Sequence, residues 1–178
     1  MWMPFNKSVT KFTFHHLFQI IMTIEKVREY FRQSGVEDKI IELPQSSATV
    51  ELAAEALHCE PQRIAKTLSF HVSDRVVLIV AAGDAKIDNQ KYKQYFGEKA
   101  RMLDFSEAES LIGHAVGGVC PFAVNEGVEV YLDKSLKRFE SVYPAAGSAN
   151  SAILLTLDEL EKYSKCLGWI DVCKDWDS

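Results

Sequence analysis

Three short segments of the sequence carry residue types that could bind an anionic substrate and position a water molecule. RIAKTLSF places Lys66 at the start of a predicted strand, GGVCPF covers residues 117–122, and YPAAGSANSAILLT covers residues 143–156. A lysine ammonium is a compact positive charge suited to a phosphate, and a glycine leaves its backbone open to a ligand because it has no side chain. Since each segment abuts a predicted strand, the three together predict a pocket lined by backbone groups.

The thiol of Cys120, inside the second segment, offers a different chemistry. A catalytic cysteine needs a neighbouring histidine or another group that lowers the pKa of its thiol. His114, six residues earlier, is the only histidine close in sequence to this second segment. We interpret Cys120 as a residue of the pocket wall, and a thiol-dependent enzyme that uses Cys120 stays an alternative.

Composition and charge narrow the class of protein. The 178 residues are 47% hydrophobic and 25% charged, which is typical of one globular domain. The net charge of −5 argues against DNA binding or general nucleic-acid binding, but it permits a protein that grips the end of one RNA. No apolar run reaches the roughly 18 residues needed to cross a bilayer. The four cysteines lack zinc-site or disulfide spacing, so we expect a cytoplasmic protein without metal or membrane contact.

The first 22 residues are expected to be an N-terminal extension. Their apolar run from Leu17 to Met22 is broken by Gln19, and no small-residue cleavage site follows it. Met22 directly precedes a clean amphipathic pattern, so we expect it to be the natural start, or residues 1–21 to be an accessory segment. The domain itself is predicted to cover residues 23–178.

Helices and hairpins alternate irregularly along the chain. The strongest hairpin signal joins AKTLSFHV to RVVLIVAA through Ser73-Asp74. Further strands are predicted at 39–43, in ARMLDF, VEVYL and SVYP, and in SAILLTL. Five helices are predicted. The first covers about residues 23–34, the second follows an N-cap at Ser46, Ser47 or Thr49, and the third covers about residues 89–96. The fourth runs from a capping box at 106–109 to Gly113, and the fifth from a second box at 156–159 through Leu167. This pattern favours a mixed sheet with helices around it.

The order of these segments resembles a known family. ATVELAAEAL, IAKTL, a hairpin, GGVCPF and a final strand–helix follow one another as in the YbaK/EbsC family of trans-acting aminoacyl-tRNA editing proteins, and the resemblance covers nearly all of residues 23–173. These proteins are related to the editing domain of bacterial prolyl-tRNA synthetases. The resemblance implies a mixed α/β (α+β) single domain, with a strongly curved, largely antiparallel mixed sheet surrounded by helices. It also implies cofactor-free hydrolysis of the ester that joins a wrong amino acid to tRNA.

The resemblance assigns catalytic roles to Lys66, Gly117 and Gly118. Lys66 matches the family's lysine near the phosphate and ribose of the tRNA 3′ end, and the glycines match its glycine–proline loop. Hydrolysis of an activated ester needs a positioned water, a proton acceptor and donors for the oxyanion. The pocket segments contain no obvious general base, and the family implies that a tRNA ribose hydroxyl assists.

Further residues are expected to bind substrate. Thr49 falls beside the pocket mouth, Gly147 matches the glycine of the second loop, and the remaining candidates are Pro121, Phe122, Ser148, Asn150 and Ser151. Ser148, Asn150 and Ser151 could hydrogen-bond a polar side chain and so provide specificity.

The identity of the amino acid stays open at this point. Ser148, Ala149, Asn150 and Ala152 stand where cysteinyl-tRNA deacylases carry a lysine-arginine-glycine run with an aspartate. Tyr143 stands where the alanine editors carry a histidine. Serine, threonine, alanine and cysteine, carried by tRNA-Pro or a similar tRNA, all remain candidates.

The expected partners are the acceptor end of an aminoacyl-tRNA and an aminoacyl-tRNA synthetase. Two groups of basic side chains are candidates for contact with the acceptor stem: Lys86, Lys91, Lys93, Lys99 and Arg101, and Lys134, Lys137 and Arg138. A non-catalytic module that binds tRNA or a synthetase is the second alternative function.

Overall fold

A computed structural model describes residue 18, residues 22–115 and residues 117–177 of the chain. The predicted N-terminal extension therefore lies outside the described residues, apart from Phe18 and Met22. Helix α1 covers residues 22–32. The later helices are α2 (Val50–Leu57), α3 (Asn89–Phe96), α4 (Phe105–Ile112) and α5 (Leu157–Ser164), with short 3-10 turns at Glu37–Lys39, Pro61–Arg63 and Lys134–Arg138. Within these residues no helix is long and apolar enough to cross a membrane.

The strands form one strongly curled mixed sheet and two small strand pairs. They are β1 (Ile40–Glu42), β2 (Ile64–Val72), β3 (Arg75–Ala82), β4 (Lys86–Ile87), β5 (Arg101–Met102), β6 (Glu129–Asp133), β7 (Ser141–Pro144), β8 (Ser151–Ile153), β9 (Leu155–Thr156), β10 (Gly168–Ile170) and β11 (Cys173–Lys174). The main sheet runs β10-β6-β3-β2-β7-β9, with β5 on β2. Five of the eight described strand pairings, with β1–β8 and β4–β11 included, are antiparallel. The predicted fold class is confirmed.

The hairpin of β2 and β3 is the centre of the core. Ser73 makes the turn with a positive φ of 53°, and eight residue pairs follow in register from Val72↔Arg75 to Ala65↔Ala82. β3 lies between β2 and β6, and its consecutive residues 77–82 are all buried, so both of its faces are covered, as its apolar run VVLIVAA indicates. The hairpin therefore provides the rigid base from which β2 presents its side chains.

Three aromatic rings join α1 to the loop at 117–122 and to α5. The Phe31 ring lies 4.8 Å from the ring of Phe122 and 5.5 Å from that of Tyr163, both edge to face. Phe31 and Phe122 are fully buried. Edge-to-face pairs of this kind add to the stabilisation that comes from burial, so the loop has a fixed position on the core.

The start of α4 differs from the prediction. The capping box is formed by Asp104 and Glu107, and the helix begins at Phe105, so the predicted box at 106–109 was wrong. The pairs 104/107 and 106/109 both have the spacing of a capping box. Because β5 ends at Met102 and the Leu103 N–H donates to Ser69 O (3.0 Å), the chain enters the helix two residues earlier than predicted. The predicted end at Gly113 and the capping box at Thr156 and Glu159 are confirmed.

The C-terminal region contains two strands that the sequence pattern did not indicate. α5 ends at Ser164, three residues before the predicted end at Leu167, and Lys165 turns the chain with a φ of 49°. The Leu167 N–H then donates to Val130 O (2.8 Å), and β10 continues beside β6 in parallel. Pairing with a strand distant in sequence outweighs the local helical preference here.

Candidate active site

A cavity of about 440 Å³ lies between α2, the first half of β2, the β5–α4 segment and the loop that contains Gly117. Of the predicted site residues, its lining contains Thr49, Lys66, Gly117 and Ser151. The remaining wall is mostly apolar and includes Val50, Ala53, Leu57, Ile64, Met102, Phe105, Ala108, Val119, Ala145 and Ala152. A concave, mostly apolar surface with a few polar groups is typical of a small-molecule site.

The two glycine-containing loops contact each other through their backbones. A Cβ atom on Gly118 would lie 2.7 Å from Ser148 Cα and 2.8 Å from the Gly147 carbonyl group. Gly147 has a φ of +94°, and a Cβ there would lie 2.8 Å from Val27 Cγ2 of α1. Glycine is required at both positions because neither close approach leaves room for a side chain. The predicted proximity of the two loops is therefore a property of the structure.

The second loop is also fixed to the segment that leads into α2. The Ser47 N–H donates to Ala149 O (2.6 Å), the Leu43 N–H donates to Asn150 O (2.7 Å), and the Asn150 amide donates back to Leu43 O (3.2 Å). Thr49 then caps α2, since its hydroxyl oxygen accepts from the Leu52 N–H (3.2 Å). The mouth residue Thr49 is thus held in register with the loop that packs on Gly118.

Ser148, Asn150 and Ser151 form hydrogen bonds within their own loop. The Ser148 hydroxyl lies 2.7 Å from that of Ser151 and 2.9 Å from the side-chain oxygen of Asn150, and the Ser148 N–H donates to Ser151 Oγ (3.1 Å). Both serines are buried, with exposed fractions of 2% and 1%. Ser148 and Asn150 do not line the cavity. These contacts set the shape of the loop, and a direct contact with substrate stays a prediction.

Lys66 lines the cavity, and its ammonium group is anchored at the end of β3. Nζ donates to Gly83 O (3.0 Å) and to Ala85 O. An ammonium group has three N–H donors, so one remains for a ligand. Burial lowers the pKa of Lys66, while Cys173, Asp84 and Glu51 act in the opposite direction. The two hydrogen bonds to carbonyl oxygens hold the positive charge in a defined position.

The loop residues after Gly118 lie away from the cavity. Pro121 is buried, Phe122 packs against Phe31 in the core, and neither lines the cavity. Cys120 is fully buried and absent from the lining, so its interpretation as a wall residue was wrong. The apolar residues around the thiol direct this turn into the core. The buried turn thereby supports the part of the loop that carries Gly117 and Gly118.

His114 and Cys120 are neighbours, but their environment makes the thiol inert. His114 Nδ1 accepts the Cys120 N–H (3.1 Å) and lies 3.5 Å from its Sγ. Burial raises the pKa of Cys120 to about 12 and, together with the charge of Lys26, lowers the pKa of His114 to about 4. Both groups are neutral at pH 7, whereas a nucleophilic cysteine requires a stabilised thiolate.

The depressed pKa of His114 predicts acid sensitivity of the fold. Because the pKa falls from 6.5 to about 4 on folding, the contribution to stability is present above pH 6.5 and is lost as the pH falls towards 4. The loss amounts to about 3 kcal/mol. In urea unfolding between pH 7 and pH 4.5, His114→Gln should therefore show a weaker pH dependence than the wild type. The exposed His58→Asn serves as the control, and equal slopes for His114→Gln and wild type would contradict the prediction.

Several lining residues escaped the sequence analysis. Thr67 and Ser69 line the cavity from alternate positions of β2, which place their side chains on one face of the strand. Thr67 Oγ1 is buried without a hydrogen-bond partner among the described residues. Phe105 also contributes to the lining, together with Tyr143 of the third predicted segment. Two hydroxyl residues at i and i+2 of the same strand were the signal that could have identified this face.

A comparison of the sequence with the profiles of known families shows to which family the chain belongs. The sequence profile of the aminoacyl-tRNA editing domain matches residues 45–163, which contain the cavity-forming segments. The chain belongs to the aminoacyl-tRNA editing domain family. The predicted family is therefore confirmed.

Relatives and solved structures agree with this assignment. The editing domain is 55% identical to the uncharacterised protein YwhH of Bacillus subtilis (strain 168) over 157 residues, 88% of this chain and 100% of YwhH. It is 28% identical to the proline–tRNA ligase of Bacillus cytotoxicus over 110 residues, 60% of this chain but 19% of the ligase. A crystal structure assigned as a candidate trans-editing enzyme for prolyl tRNA synthetase matches with a TM-score of 0.77 and 27% identity, over 85% of this chain and 97% of that chain.

The basic side chains differ in their availability to a nucleic acid. Lys86 pairs with Asp175, Lys91 with Asp171, and Arg138 with Asp84, and Lys137 lies over the Trp169 ring. No ion pair within the described part of the chain involves the other members of the two groups, which are Lys93, Lys99, Arg101 and Lys134. The cations without an ion pair among the described residues therefore include Lys99, which precedes β5, and Arg101, the first residue of β5.

Proposed function

We propose that this editing domain hydrolyses the ester bond between a small amino acid and the 3′ end of a mischarged tRNA, with tRNA-Pro or a similar tRNA as the carrier. The observation that carries the proposal is the cavity that contains both Lys66 and Gly117 on its wall. The match to a proline–tRNA ligase and to a candidate trans-editing enzyme for prolyl tRNA synthetase supports the choice of tRNA. An aminoacyl-tRNA synthetase is the proposed partner, and the cytoplasm the proposed location.

In the proposed mechanism the protein binds and positions, and the tRNA supplies the proton acceptor. The remaining N–H of the Lys66 ammonium binds the phosphate of the terminal nucleotide. Backbone groups of Gly117 and Gly118 place a water beside the ester carbonyl. The water oxygen attacks the carbonyl carbon, a ribose hydroxyl assists in taking up its proton, and the ester C–O bond breaks. The amino acid leaves as a carboxylate and the terminal ribose regains its hydroxyl.

The cavity wall favours a small side chain. Six alanines make much of the wall apolar: Ala48, Ala53, Ala65, Ala108, Ala145 and Ala152. The larger apolar residues Leu57 and Ile64 limit the space beyond them. A pocket of this kind excludes larger amino acids by overlap, while it discriminates weakly between side chains that differ by one methyl group.

A panel of charged tRNAs tests the proposed function. The wild-type protein is incubated with tRNA-Pro carrying alanine, serine, threonine or cysteine, and the release of each amino acid is followed in the presence of a chelator. We expect multiple-turnover release of at least one of them. If the protein binds the tRNAs and releases none, it is a non-catalytic binding module and the proposal is wrong.

The thiol-dependent alternative makes an opposite prediction for Cys120. Because the thiol is fully buried and neutral, Cys120→Ala should retain deacylation within about threefold of wild type, with a stability loss of about 1–2 kcal/mol from the smaller side chain. Iodoacetamide should label the partly exposed Cys59 and Cys166 in the native protein and Cys120 only after unfolding. Loss of activity in a folded Cys120→Ala variant would instead support the thiol enzyme.

A further inference from the structure

Two large apolar side chains stand exposed at the mouth of the cavity. Phe105 is 79% exposed and Met102 is 57% exposed, and both contribute to the cavity lining. Exposed apolar surface that is continuous with a pocket is typical of a ligand contact. Since neither residue belongs to the buried core, their exposed apolar surface indicates contact with a ligand outside the cavity proper.

The backbone that carries these side chains is held rigidly. β5 pairs with β2 through Met102↔Phe70 and Arg101↔His71. The Glu107 carboxylate accepts from the Asp104 N–H (3.0 Å) and contacts His71 Nε2 (3.1 Å), which fixes the first turn of α4 to the sheet. Phe105 is the first residue of that helix. An aromatic ring on a fixed backbone binds a flat ligand with little ordering cost.

The charges around the mouth suit a polyanion. Arg101 and Lys99 are exposed and take part in no ion pair within the described residues. Of the nearby acids, Glu107 is bound to His71, and Asp104, which lines the cavity, belongs with Glu107 to the capping box of α4. The combination of an exposed aromatic ring with free cations is the pattern by which proteins hold single-stranded nucleic acid.

We propose that Phe105, with Met102 beside it, is the stacking platform for the terminal nucleobase of the tRNA, and that Arg101 and Lys99 contact the adjoining phosphates. The proposal rests on the proposed function for the identity of the RNA. The amino acid is esterified to the ribose of the last nucleotide, so an aminoacyl group inside the cavity places that nucleoside at the mouth. Stacking on Phe105 then orients the ribose and its ester towards Gly117.

Binding of an uncharged RNA tests the platform independently of hydrolysis. The probe is an acceptor-stem minihelix with a single-stranded CCA end, compared with the same RNA carrying an abasic 3′ nucleotide. For the wild type we expect the abasic RNA to bind about tenfold more weakly. For Phe105→Ala we expect CCA binding to fall about tenfold and the difference between the two RNAs to vanish. Phe105→Tyr should restore both, and Leu167→Ala, which truncates an apolar side chain of 63% exposure outside the cavity lining, should behave as wild type.

Several outcomes would overturn the platform. Equal CCA binding by Phe105→Ala and wild type would do so, as would an equal loss of affinity for both RNAs. Weakened binding to prolyl-tRNA synthetase with unchanged RNA binding would show that the mouth docks a protein instead. Because Phe105 is exposed, its truncation should leave the unfolding midpoint unchanged. A protein that hydrolyses no ester but shows the predicted base dependence would refute the proposed function and leave the platform standing.

Discussion

Lys66→Ala is expected to lower the rate constant of deacylation by about 10²–10³-fold, the effect of removing one positioned electrostatic stabiliser. The side chain is the cationic group of the cavity wall formed by the described residues, and its ammonium is held in place by Gly83 O and Ala85 O. Without it the terminal phosphate has no fixed counter-charge, and the ester is no longer positioned beside the glycine loop. The measurement is single-turnover release of the amino acid from mischarged tRNA.

Structural loss must be separated from the loss of charge. Removal of Nζ leaves two carbonyl oxygens without their donor, which costs about 1–3 kcal/mol where water does not replace it. Lys66→Met keeps a long apolar stem and removes the ammonium group, so it should lose the same activity while urea unfolding reports its stability. Lys162→Ala, at an exposed lysine outside the cavity lining and outside both basic groups, is the matched control. Full activity in folded Lys66→Met would contradict the proposed role.

Gly118→Ala is expected to reduce deacylation at least tenfold and to destabilise the fold by about 1–3 kcal/mol. The new Cβ would lie 2.7 Å from Ser148 Cα and 2.8 Å from Gly147 C and O, so the two loops must separate. These neighbours are backbone atoms and cannot rotate away as a side chain could. Displacement of the glycine loop by even a few tenths of an ångström changes the position of the water relative to the ester. Deacylation rates and urea unfolding of the same variant give the two effects.

Gly127→Ala provides the comparison for Gly118→Ala. Gly127 has a φ of +85°, and a Cβ added there would meet no heavy atom within 4 Å. Its replacement therefore introduces backbone strain of about 1–2 kcal/mol without a steric clash at the cavity. We expect a modest loss of stability with normal activity. If Gly118→Ala were as active as Gly127→Ala, the contact between the loops would have no catalytic importance.

Local patterns predicted those parts of the fold in which neighbouring residues decide the conformation. The β2–β3 hairpin follows from two apolar runs joined by a two-residue turn. The start of α4 and the strand β10 could not be predicted, because a hydrogen bond from Leu103 to Ser69 and pairing of Gly168 with Tyr131 join residues far apart in sequence. Contacts of this kind have no signature in a local window of residues.

The candidate site was predicted only in part, again because contacts between residues far apart in sequence set the direction of its side chains. The mutual approach of the Gly118 and Gly147 loops was inferred from the order of motifs. The inward turn of Cys120 depended on the core that receives it, and the internal hydrogen bonds of Ser148 depended on a loop conformation that the sequence did not reveal. Phe105 was overlooked because the helix was predicted to begin after it. A residue's type indicates its chemistry, while its direction is set by tertiary packing.

The central claim is hydrolysis of a mischarged tRNA, and the most direct test is a single-turnover time course with the wild-type protein in excess over tRNA-Pro charged with a small amino acid. The amount of ester-linked amino acid is measured against the same tRNA without protein. The proposed function predicts a first-order loss of the ester at least roughly 10-fold faster than the spontaneous rate, an order-of-magnitude threshold set well below typical enzymatic accelerations. Equal rates with and without protein for alanine, serine, threonine and cysteine would contradict it.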